Sequence, residues 1–127
     1  MYKRQVLDAP FDFETLVREE LIYQGFSELL WTPLYHYVLI FEGINLLANN
    51  PEDSLKAGNK QPILIFNGMD NDRVLPHHTD DLIDSATEIG IELEINRYEE
   101  LGHTRVLYDY PKEFSIKLVQ FFSRHLN

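Results

Sequence analysis

The stretch Pro62-Ile-Leu-Ile-Phe-Asn-Gly-Met-Asp-Asn-Asp-Arg-Val-Leu-Pro76 constrains this chain more than any other. Its apolar run, Ile63 to Phe66, reads as a strand buried on both faces, as in a parallel sheet. The run passes into Gly68 and an acidic turn, Asp70-Asn71-Asp72, closed by Arg73-Val74-Leu75-Pro76. Further on, Ile91, Leu93 and Ile95 alternate with Glu92, Glu94 and Asn96, a strand with one wetter face near a sheet edge. That strand leads into Gly102-His103. Ligands of open α/β sheets bind at the carboxyl ends of the strands, so Asp70, Asp72 and His103 belong on one edge. A carboxylate that accepts the Nδ1 proton of a histidine fixes its tautomer and stabilises the imidazolium formed when the ring takes up a proton. Gly102 allows the tight turn that such a histidine needs.

The rest of the chain fits the same architecture. Gln5-Val6-Leu7-Asp8 is a short strand ended by Ala9-Pro10, and Asp12 caps a helix from Phe13 to about Gln24. Gly25 breaks that helix. A second helical region starts near Ser27, restarts at Pro33, and carries Leu34, Tyr37, Val38, Phe41, Ile44 and Leu47 as an apolar stripe. Asn49 to Asp53 reads as a turn and Ala57-Gly58-Asn59-Lys60 as a polar linker. His77 to Ile89 is helical with Gly90 at its end, and Pro111 opens a last helix that ends at Leu126. The order β-α-α-β-α-β-α predicts an α/β fold of about three parallel strands flanked by helices.

A length of 127 residues suits one domain, and 44% hydrophobic with 13% aromatic content excludes disorder. The net charge of −10 argues against nucleic acid and anionic membrane surfaces as partners, since both require clustered Lys and Arg. With no cysteine there is no disulfide scaffold, thiolate zinc site or cysteine nucleophile, which fits a cytoplasmic protein. No signal peptide precedes the first strand. Leu29 to Ala48 is the most apolar window, but Pro33, His36, Glu42, Gly43 and Asn45 make it a cap or buried helix rather than a membrane span. Tyr2-Lys3-Arg4-Gln5 resembles the translation of a transposon-end adapter used in sequencing libraries. Taken with the absent first half of the fold, it predicts a natural protein that continues upstream.

Residues 62 to 127 look like the C-terminal third of an α/β-hydrolase, nearest the prolyl-oligopeptidase-like serine peptidases and related esterases. Gly68, Arg73, Val74, Pro76, Gly102 and His103 match the family pattern of glycine, acid, Arg-Val, proline and a later Gly-His. Val6 to Phe11 resembles the strand after the nucleophile helix, and residues 12–60 resemble the variable helical cap. The resemblance implies a Ser-His-Asp triad, with His103 as general base, acting on a small-molecule ester or peptide without a cofactor. Aligned from Gly68 without a gap, the family's acid falls on Asn71. Aligned from the proline end it falls on Asp72, with Asp70 a third candidate. Asp72 is preferred, then Asp70, because asparagine in a related triad lowers turnover about 10⁴-fold.

A nucleophile elbow, Gly-x-Ser-x-Gly, should precede the acid in this fold. Ser27, Ser54, Ser85, Ser115 and Ser123 all lack that setting, so the serine is expected upstream and the chain alone should be inactive. Arg73 would bind a substrate carboxylate or form a structural ion pair. His77-His78-Thr79-Asp80-Asp81 suggests no metal site, because neighbouring side chains point to different helix faces and acids suit a first helical turn. His36, Trp31, Tyr35, Tyr37 and Phe41 suit either an apolar pocket or ordinary helix packing. Two other readings are a non-catalytic hydrolase-like partner module and a receiver-like signalling domain, for which too little chain remains. A three-stranded sheet would expose the edge of the Val6 or Ile63 strand, predicting poor solubility or a homodimer through that edge.

Overall fold

The computed structural model describes residues 5–8, 10–48, 50–58 and 60–126. The opening Tyr2-Lys3-Arg4 lies outside these, as do Ala9, Asn49, Asn59 and Asn127. Strands β1 (Gln5–Asp8), β2 (Ile63–Gly68) and β3 (Leu93–Tyr98) form one parallel sheet in the order β1-β2-β3. Asp8 stands opposite Phe66, and Gly68 opposite Tyr98. The carboxyl ends of all three strands therefore share one edge.

Every residue of β2 is buried, and its two faces feed two separate cores. Ile63 and Ile65 pack with Leu55, Leu82, Ala86 and Ile91 beneath helices α3 (Pro51–Ala57) and α4 (Pro76–Glu88). Leu64 and Phe66 pack on the other side with Leu101, Val106 and Phe121, under α5 (Val106–Asp109) and α6 (Pro111–His125). The central strand thus satisfies the continuous apolar run, since a period of two sends alternate side chains to opposite layers. β3 is an edge strand, as its alternation predicts, but it starts at Leu93. Ile91 belongs to the turn before it, where its N–H donates to Ala86 O at 2.9 Å while Gly90 adopts φ 75°.

Helix α1 (Phe13–Tyr23) begins as expected, with the Asp12 carboxylate accepting from Thr15 N. The region after it differs from the single stripe predicted. A 3₁₀ turn (Glu28–Leu30) runs into α2 (Trp31–Tyr37), then a π turn over Val38–Glu42 that stops at Gly43. Much of the stripe stays exposed, with Phe41 at 70% and Tyr37 at 55%. Of the segment read as a turn at Asn49–Asp53, Pro51 to Asp53 are instead the start of α3. Asn50 caps it by accepting from Glu52 N and Asp53 N, and Pro51 takes the first helical position. No described helix is long and apolar enough to cross a membrane.

Candidate active site

Two loops meet over the end of β2. Met69 N donates to Tyr98 O at 2.9 Å, and Asp70 N donates to Leu101 O at 3.1 Å. A Cβ placed on Gly68 would lie 2.3 Å from Leu101 O and 2.6 Å from Gly102 O, so only glycine fits. That backbone-to-backbone seam fixes which side chain after Gly68 reaches the loop after β3.

The side chain is Asn71. It is 3% exposed, and its Oδ1 accepts from Arg73 N at 3.1 Å and Val74 N at 2.9 Å. Its Nδ2 therefore faces His103 Nδ1, at 3.2 Å. An amide nitrogen only donates, so Nδ1 accepts and the neutral ring carries its proton on Nε2. An aspartate in this seat would accept from Nδ1–H and leave Nε2 free as a base. Asn71 thus imposes the opposite tautomer.

The preferred acid, Asp72, is exposed. It lines a cavity of about 100 Å³ with Glu19, Tyr23 and Arg73. Asp70 is exposed as well and enters the seam through its backbone, its carbonyl 3.6 Å from where a Cβ on Gly102 would stand. Arg73 contributes its N–H to the Asn71 turn and its side chain to the Asp72 cavity. The structure therefore brings Asn71 to His103, as the gap-free alignment has it, and leaves both aspartates facing solvent. Asn71, three residues after Gly68, is the side chain that meets the loop after β3. After His103, Thr104 adopts φ 49°, a left-handed conformation unusual for a β-branched residue. Such strain, of order 1–3 kcal/mol, is characteristic of functional loops.

Sequence reasoning passed over Asp8. It ends β1 at the same edge, and its Oδ1 is buried without a hydrogen-bond partner among the described residues. Burial raises its carboxyl above the ordinary value, and a positive charge on His103 would only partly offset that. The only sequence signal was an acid at the end of a strand, which is common.

Two other sets of residues were singled out by the sequence. Trp31 is 3% exposed, with Tyr35 stacked on it at 5.9 Å and Phe13 against its edge at 6.3 Å. It is packing rather than pocket lining. Tyr37 and Phe41 pair with each other at 4.9 Å on the surface, and His36 Nδ1 bonds Thr32 O at 2.7 Å. His77 and His78 do not diverge as neighbouring residues were expected to. Both imidazoles reach the Glu19 carboxylate, at 2.8 and 2.9 Å.

Among solved structures, the chain is similar to an esterase of Pyrococcus furiosus, with 17% identity and a TM-score of 0.63. The match covers 98% of this chain and 45% of the esterase. It is also similar to the acylaminoacyl peptidase of Pyrococcus horikoshii, with 17% identity and a TM-score of 0.61. Here 97% of this chain and 20% of the peptidase are covered. No protein-family model matches, and no curated protein does. The chain has the fold of the C-terminal portion of an α/β-hydrolase and spans under half the length of these neighbours.

Proposed function

We propose that this chain is the histidine-bearing part of a serine hydrolase that cleaves ester or peptide bonds. The observation that carries the reading is the seam at Gly68, which seats residue 71 against His103 Nδ1 at the carboxyl edge of the sheet. A serine on a Gly-x-Ser-x-Gly elbow preceding residue 1 would give its proton to His103 Nε2 and attack the substrate carbonyl, forming an acyl-enzyme. Asn71 cannot stabilise the resulting imidazolium, so that task falls to Asp8. Turnover is then low, because Asn71 holds His103 in the wrong tautomer until the ring protons rearrange. The Arg-Val-x-Pro turn favours peptide over simple ester substrates.

The Asn71–His103 contact also favours a second reading, a hydrolase-like partner module whose triad has been lost. A longer reading frame encoding the upstream elbow separates the two when treated with a fluorophosphonate probe. Slow labelling of its serine, rising by up to about 10⁴-fold in Asn71→Asp and lost in Asp8→Asn, is the hydrolase result. Labelling only in Asn71→Asp supports the module. A serine inert in both forms contradicts the hydrolase.

A further inference from the structure

We infer that Glu19, His77 and His78 form a binding site for a divalent transition ion of the Zn²⁺ type. The three residues come from two helices, and their ligand atoms all lie within 4.8 Å of one another. His77 Nε2 meets Glu19 Oε1 at 2.8 Å, while His78 Nε2 meets Oε2 at 2.9 Å. Two imidazoles and one carboxylate are the protein donors of an open zinc site, with a water completing the tetrahedron. Zinc holds such donors at about 2.0–2.2 Å, so its own donors stand some 3.3 Å apart. To reach that spacing the 2.8 and 2.9 Å pairs open slightly, and the widest separation, at most 4.8 Å, closes by up to about 1.5 Å.

The two rings stack at 4.5 Å with 24° between their planes, and both turn Nε2 toward the same carboxylate. A single divalent ion takes both ring nitrogens and balances the carboxylate. The burial gradient suits the arrangement. His78 has 1% of its side chain exposed, Glu19 28% and His77 43%, so one side is dry and the other open to water. Glu19 also lines the cavity shared with Asp72 and Arg73. The bound ion would clamp α1 to the first turn of α4, near the turn that holds Asn71.

The test uses the chain without an affinity tag, stripped with chelator and titrated with Zn²⁺ by calorimetry and by thermal melting. One ion per chain should bind and raise the melting temperature. Glu19→Gln and His77→Gln, both partly exposed and expected to fold, should each weaken binding about tenfold or more. Co²⁺ should give the intense visible bands of tetrahedral coordination in the parent chain, and these should fade in both variants. No binding, or binding and bands unchanged in Glu19→Gln, would overturn the site. None of these readouts depends on hydrolase activity.

Discussion

At the scale of single residues, the tension lies between Asn71 and Asp8. Asn71 is fully engaged, with both amide atoms bonded. Asp8 is the reverse, with a buried carboxylate oxygen that has no hydrogen-bond partner among the described residues. Because the fold raises the Asp8 carboxyl, the native state keeps its proton to a higher pH than the unfolded chain does. The folded-state advantage is present below the unfolded value of about 3.9 and disappears as pH rises through the raised value. At neutral pH the charged carboxylate therefore costs stability, and Asp8→Asn should remove that cost. Urea midpoints should be higher for Asp8→Asn at pH 7, with the gap closing below about pH 4. A variant less stable than its parent at neutral pH would show that Asp8 is held by partners this account omits. The preference for Asp72 from sequence followed residue chemistry, since a triad wants an acid. The structure sets Asn71 against His103, a register that goes with a backbone contact between Gly68 and Leu101 that no local pattern reveals.

At the scale of elements, β2, α1 and α4 were readable because each carries one dominant signal: an unbroken apolar run, an aspartate cap, and apolar periodicity after a proline. Helix α3 was missed because Asn50-Pro51-Glu52-Asp53 contains the residues of a turn as well as those of a helix start. The π turn over Val38–Glu42 has no sequence signature of its own; apolar spacings of three or four fit it as well as an α-helix. The seam between the loops after β2 and β3 is where element geometry becomes site geometry. Gly68→Ala would force a methyl into backbone atoms that cannot rotate aside, at 2.3 to 2.9 Å. It should destabilise the fold by about 2–3 kcal/mol, read as a lower denaturant midpoint. Parent-like stability in Gly68→Ala would mean that the two loops are not packed as described.

At the scale of the whole molecule, the parallel order, the two-sided core and the shared carboxyl edge follow from the alternation of strand and helix signals. The burial of the middle segment does not follow. Tyr37, Phe41 and Ile44 are at least 53% exposed although their spacing looks like a core stripe, because periodicity marks an apolar face and not what covers it. The account turns on residue 71 occupying the seat of a triad acid beside His103. The most direct measurement is nitrogen-15 NMR of the His103 ring in this chain and in Asn71→Asp. The account predicts a proton on Nε2 in the parent and on Nδ1 in the variant. The same tautomer in both would contradict it.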